Sequence, residues 1–175
     1  MKKILIILIL LSISLYSATT DEEIFKTVRY GSSLELKNIL DSGVNINIQD
    51  NDGKTPLRIA VESDYPKKVK LLLEAGADIT IKDKYGQDVL MWAHSVEITN
   101  ILLEAGADIN SQDNDGFTPL MITIVNGNDL KAKELIKLGA NINIKNDNDD
   151  NALYLAIVFK RTEIIDILKT KGAKL

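Results

Sequence analysis

The 175-residue chain carries 21 basic and 25 acidic side chains, one histidine, no cysteine and a formal net charge of -4. Zero cysteine excludes disulfides, thiolate zinc sites, iron–sulfur clusters and cysteine nucleophiles, and His94 alone leaves little for metal ligation or a Ser/His/Asp triad. The acidic balance, with a pI near 5.1, removes any bulk electrostatic reason to expect nucleic acid. Hydrophobic residues at 45% and charged residues at 26% are those of an ordinary globular chain.

The chain opens with Lys2 and Lys3, followed by a run from Ile4 to Leu15 made only of Ile, Leu and Ser. That run is too short to span a bilayer, which takes about 20 residues. A positive start, a short apolar stretch and small polar residues afterwards have the pattern of a secretory signal peptide, here residues 1–17. Cleavage after Ser17 places Leu15 and Ser17 at the two specificity positions; cleavage after Ala18 would place bulky Tyr16 there. No cysteine follows, so a lipoprotein anchor is excluded. The expectation is an exported chain, periplasmic or secreted, with no stable membrane anchor after cleavage and one domain over 18–175.

From there the chain repeats itself. Gly43-Val-Asn-Ile46, Gly76-Ala-Asp-Ile79, Gly106-Ala-Asp-Ile109 and Gly139-Ala-Asn-Ile142 share one pattern, and Gly172-Ala-Lys-Leu175 is a weaker fifth copy. Successive glycines are 33, 30, 33 and 33 residues apart. A second landmark runs Gly53, Gly86, Gly116 and then Asp149 in glycine's place. A third runs Thr55-Pro-Leu57, Asp88-Val-Leu90, Thr118-Pro-Leu120 and Asn151-Ala-Leu153.

Each landmark has a physical task. Thr55 and Thr118 cap a helix whose first residue is proline, where no amide hydrogen is needed. Leu57, Ile59 and Ala60 give that helix an apolar face, repeated by Leu120 and Ile122. A second helix carries Val69, Leu71, Leu72 and Leu73, then Ile98, Ile101, Leu102 and Leu103, then Leu135, Ile136 and Leu138. Gly76, Gly106, Gly139 and Gly172 stop these helices in the left-handed conformation. The Asp/Asn-rich stretch around Asp50-Asn-Asp-Gly53 turns at Asp-Gly as a hairpin-like finger. No such unit buries its apolar face alone, so the units must stack.

This pattern resembles the ankyrin repeat, over residues from about Asp21 to Leu175. The resemblance implies an all-α solenoid of about five helix-turn-helix repeats with β-hairpin-like fingers, at about 21–50, 51–83, 84–113, 114–146 and 147–175. The chain departs from the family in places. The histidine of the Thr-Pro-Leu-His signature is replaced by Arg58, Met91, Met121 and Tyr154, which predicts looser stability. The third repeat is three residues short between Ala93 and Ile98, so its first helix or inter-helix turn must be trimmed. Both ends read as caps. Thr20-Asp-Glu-Glu23 and Ser32-Ser-Leu-Glu35 have capping-box spacing and predict helices over Asp21–Tyr30 and Leu34–Leu40. Lys160, Arg161, Asp166, Lys169 and Lys171 make the last helix pair polar.

The candidate chemistry is thin. The Asp/Asn fingers invite a calcium reading, but the ligand register from Gly53 falls on Ile48, that from Gly116 falls on Ser111, and the closing Glu is missing in both. Turn residues at finger tips account for the composition. Trp92 aligns with Ile59 and Ile122 and reads as a core residue on a helix, and His94 as a structural or surface residue. Lys67-Lys-Val-Lys70 reads as a solvated face. No nucleotide loop or nucleophile motif is present, and no cofactor or metal is implied.

In the resembling family, partners lie on the concave side, against finger tips and first helices. Carried over, the partner-binding candidates are Asn51, Asp52, Lys54, Lys84, Tyr85, Gln87, Asn114, Asp115, Phe117, Val125, Asp147, Asn148, Asp150 and Phe159. Glu62, Asn126 and Val158 align to the same side. Tyr85, Phe117, Val125, Val158 and Phe159 would form an apolar strip flanked by acids, unless Phe117 and Phe159 merely fold onto neighbouring repeats. The expected function is non-enzymatic binding of another protein, of basic character, by a monomer, without nucleic acid. Two alternatives stand beside it: an envelope spacer, and a hydrolase using Asp147, Asp149 and Asp150.

Overall fold

A computed structural model of the protein describes residues 22–175. The expected signal segment 1–17, and Thr20 and Asp21 of the first capping pattern, lie outside the described residues. Nine helices occur among the described residues: α1 at 22–30, then α2 (Ser33–Asp41), α3 (Pro56–Glu62), α4 (Pro66–Glu74), α5 (Val96–Glu104), α6 (Pro119–Val125), α7 (Asp129–Lys137), α8 (Ala152–Val158) and α9 (Thr162–Thr170). No residue among those described is in a β-strand. No helix among them is long and apolar enough to cross a membrane. The described residues form an all-helical stack of two-helix units, the third of which keeps only its second helix.

The helix starts follow from side-chain chemistry. Thr55 and Thr118 accept the backbone N–H of Arg58 and Met121, at 3.1 and 3.3 Å, and proline takes the first helical position of α3 and α6. Ser32 and Glu35 close the expected capping box: Glu35 N–H donates to Ser32 Oγ at 3.2 Å and Ser32 N–H to the Glu35 carboxylate at 2.6 Å. Ser95, Asn128 and Asn151 cap α5, α7 and α8 in the same manner. One cap of this kind contributes about 1 kcal/mol.

The fingers are turns, not hairpins of strands. In each, one side chain accepts two backbone N–H groups: Asp50 from Asp52 and Lys54, Asp83 from Tyr85 and Gln87, Asp113 from Asp115 and Phe117, and Asn146 from Asn148 and Asp150, all at 2.8–3.0 Å. These Asp and Asn residues build Asx turns, which explains their recurrence without calcium. Adjacent fingers touch: Asn114 N–H donates to Tyr85 O at 3.0 Å and Asp147 N–H to Asp115 O at 3.1 Å. That closeness requires glycine. Gly116 has φ 79, and a Cβ there would sit 2.9 Å from Asn146 Cα. Asp149, standing where the repeat has glycine, adopts φ 67.

Two apolar clusters make the core. One runs from Ile24, Val28 and Leu36 through Leu57, Leu72 and Leu90 to Ile98 and Leu102. The other runs from Leu120 and Ile124 through Leu135 to Leu155, Ile164 and Leu168. Each fully buried aliphatic side chain contributes about 1.5–3 kcal/mol. Half-buried Leu103 packs against both clusters. The seam between them falls between the shortened third repeat and the fourth.

Here the structure departs from the sequence reading. The first helix of the third repeat is absent: residues 89–92 form successive turns, with Trp92 N–H to Val89 O and Ala93 N–H to Leu90 O, both at 3.3 Å. Trp92 is therefore not on a helix, and it is half-buried rather than part of the core. Three missing residues remove almost one of the roughly two turns of a seven-residue helix, and the remainder closes as turns instead. The C-terminal end is also less polar than expected, since Tyr154, Ile157 and Val158 of α8 are 45%, 42% and 51% exposed. Their counterparts Met121 and Ile124 are buried.

Candidate functional site

A turn in place of a helix leaves space without side chains, and the end of that turn is tied down by a buried side chain of α7. The carbonyls of Leu90 and Ala93 accept from Lys131 Nζ of α7, at 2.8 and 2.7 Å. Lys131 is 2% exposed. Burial pushes its ammonium down from the usual 10.5 to about 7, with Asp88 opposing the shift. Asp88 caps the same turn, accepting from Leu90 and Met91 N–H at 2.9 and 3.2 Å, and takes a hydrogen bond from the Ser111 hydroxyl. The arrangement has a precedent within the chain. Lys68, at the matching position of α4, donates to Val28 O at 2.6 Å and Thr27 O at 3.3 Å.

The vacated space is a cleft of about 390 Å³ between the third and fourth repeats. Met91, Trp92, Phe117, Ile122 and Val125 give it apolar walls, and Gln87, His94, Asp113 and Asn126 give it a polar edge. Trp92 is held from behind. The Arg58 guanidinium lies 3.5 Å from the indole centroid and is itself tied to Asp83 at 3.2 Å. Burial lowers the Arg58 pKa to about 10 against the pull of Glu62 and Asp83. It therefore stays cationic at neutral pH, and stacking on the indole supplies attraction that the family's signature histidine does not. Substituting Arg58 for that histidine and Trp92 for an aliphatic residue are thus two halves of one contact.

The candidates from the sequence divide. Gln87, Phe117 and Val125 meet in the cleft. Phe117 and Val125 also pack against the C-terminal core cluster, so Phe117 both fills stacking space and faces the opening. Tyr85 stands 59% exposed at a finger tip, with Lys84 Nζ 5.2 Å from its ring centroid. Phe159 caps α8 in the last repeat, 43% exposed beside Val158. Neither of these two lines the cleft, so the apolar strip is interrupted. Asn51, Asp52, Asn114, Asp115, Asp147 and Asn148 are exposed on the finger tips, and Lys54 and Asp150 are partly buried there. Lys54 is turned inward to Glu62 at 3.0 Å.

Met91, Trp92, His94, Asp113 and Ile122 were not among the sequence candidates. The signal that finds them is the three-residue deletion itself, read as lost volume on the finger side. The finger carboxylates offer no enclosed acid–base pair. Asp147 and Asp149 are exposed, and Asp149 lies 3.5 Å from Lys145.

The fold and cleft define a class: a stack of short helix pairs whose fingers and first helices share one open face. The family profile described as Ankyrin repeats (3 copies) matches residues 24–113 and 90–175. The chain belongs to the ankyrin repeat family. It is similar to an ankyrin repeat-containing protein of Schizosaccharomyces pombe, 32% identical over 111 residues, covering 63% of this chain and 54% of that one. It is similar to the B-cell lymphoma 3 protein homolog of Mus musculus, 32% identical over 147 residues, covering 79% of this chain and 32% of that one. It is also similar to a phosphocholine transferase of Legionella pneumophila, 30% identical over 161 residues, covering 85% of this chain but 17% of that one. The chain thus spans about half or less of the length of these relatives. Ankyrin repeats are in general modules that bind other proteins.

Proposed function

We propose that the chain is an exported, monomeric, non-enzymatic binding module whose partner protein docks on the cleft between the third and fourth repeats. The observation that carries this reading is the cleft: five apolar walls, two of them aromatic, opening on the face shared by fingers and first helices. Large, rigid apolar side chains in a preformed hollow are the usual anchors of protein recognition. Trp92 is pre-positioned by Arg58 and Asp83, so little ordering cost remains to be met on binding. Export rests on the Lys2-Lys3 start and the apolar run from Ile4 to Leu15.

The test is capture of a partner from an extract of the source cells, with the chain from residue 18 as bait. Asn126→Trp, at an exposed position on the cleft edge, fills the cleft without touching the core. Capture by the parent and loss with Asn126→Trp is the expected result. Equal capture by both would place the contact elsewhere, and a hydrolytic activity lost with Asp149→Asn would overturn the non-enzymatic reading.

A further inference from the structure

The fingers on the two sides of the cleft differ in how their carboxylates are neutralised. On the N-terminal side each has an internal cation: Arg29 with Asp50 at 3.6 Å, Lys84 with Asp52 at 2.5 Å and Arg58 with Asp83 at 3.2 Å. On the C-terminal side, Asp113, Asp115, Asp147 and Asp150 form no ion pair among the described residues. Only Asp149 there is matched, by Lys145. Asp113 lines the cleft edge, where its Oδ2 accepts from Gln87 Nε2 at 3.4 Å. Asp115 and Asp147 follow on adjoining fingers, linked by the backbone hydrogen bond between them.

An apolar hollow therefore continues into a row of unneutralised carboxylates in one direction only. Resting on the protein-binding reading above, we infer that the occupant is an extended segment of a partner that inserts one aromatic or branched aliphatic side chain into the cleft. That segment carries Lys or Arg on the side running along the third and fourth fingers, which bear Asp115 and Asp147. Neighbouring packed helices lie about 8–10 Å apart, and an extended chain rises about 3.3 Å per residue. The first basic residue then falls about three positions from the anchor. Charge complementarity on this side fixes the direction of the segment, because the opposite side presents carboxylates already satisfied by Arg58 and Lys84.

The probe is a library of random 12-residue peptides displayed on phage, panned against the chain from residue 18. The expected consensus is a bulky apolar residue with Lys or Arg about three positions away on one side. Synthetic peptides of that consensus should lose about tenfold in affinity with Asp115→Lys and again with Asp147→Lys, both at exposed tips. They should also weaken as salt rises, and should not bind Asn126→Trp. A consensus without basic residues, or binding blind to both charge reversals yet lost with Asn126→Trp, would overturn the charge inference and leave the cleft reading standing. Binding indifferent to Asn126→Trp would defeat the cleft reading itself. Light scattering that gives a dimer mass, reverting to monomer with Asn126→Trp, would show a second copy as the occupant and overturn both.

Discussion

Lys131 shows how one buried side chain ties a second helix to the repeat before it. Its amine donates to Leu90 O and Ala93 O, as Lys68 donates to Val28 and Thr27 at the end of the intact α1. Burial of this group makes stability depend on pH. In the folded chain its pKa is about 7, against 10.5 for the free side chain. Between those values the unfolded chain holds a proton that the folded chain does not, so this group makes stability rise with pH through that window. Its unfavourable ionisation is fully felt below about pH 7. Urea unfolding at pH 7 and pH 9.5 should show this rise, and Lys131→Met should remove that share of it. At pH 9.5, where the wild-type amine is neutral and still donates, Lys131→Met should cost about 1–3 kcal/mol, because two hydrogen bonds are lost and the Ala93 carbonyl is left unpaired. A second residue-scale outcome concerns Lys160, held at φ 56. Lys160→Gly should stabilise by about 0.5–1 kcal/mol, read as a shift in the urea midpoint, because the left-handed conformation costs a side-chain-bearing residue about that much.

Among the elements, the third repeat separates what the sequence could and could not convey. Period, caps and terminating glycines place all nine helices of the described residues and one more that does not form, since each signal is local: Thr55 before Pro56, Ser32 before Glu35, Gly76 after α4. The missing helix was foreshadowed only as a deletion between Ala93 and Ile98. Trp92 then reads as core, because alignment to Ile59 preserves hydrophobicity but not backbone state. The stacking of Arg58 on Trp92 pairs residues of successive repeats and has no local signature. The same limit applies to the site: Gln87, Phe117 and Val125 follow from repeat position, whereas the hollow that joins them follows from volume removed elsewhere. Inserting three helix-forming residues after Ala93 should restore the seven-residue helix. The expected readouts are a gain in far-ultraviolet helical signal and loss of peptide binding as the cleft fills. Leu102→Ala, at a fully buried position of α5, should cost about 2–5 kcal/mol by urea denaturation.

At the scale of the whole array, the two apolar clusters meet across a weakened seam built from a turn, a buried lysine and half-buried Leu103. Repeat arrays are stable as the sum of units and their interfaces, so opening should begin at this seam. Amide hydrogen exchange should resolve two protected blocks, at about 24–102 and 120–168, with 89–94 exchanging faster than either. A seam that is soft and hollow is also where a partner gains most by binding, and on this account the deletion that weakens the stack creates the docking site. The most direct check is site-specific photo-crosslinking to the captured partner, from Asn126 on the cleft edge and from Lys137 on α7, an exposed residue outside the cleft. Adducts from Asn126 and none from Lys137 are the expected result. Adducts from Lys137 alone would contradict the assignment of the cleft as the binding centre.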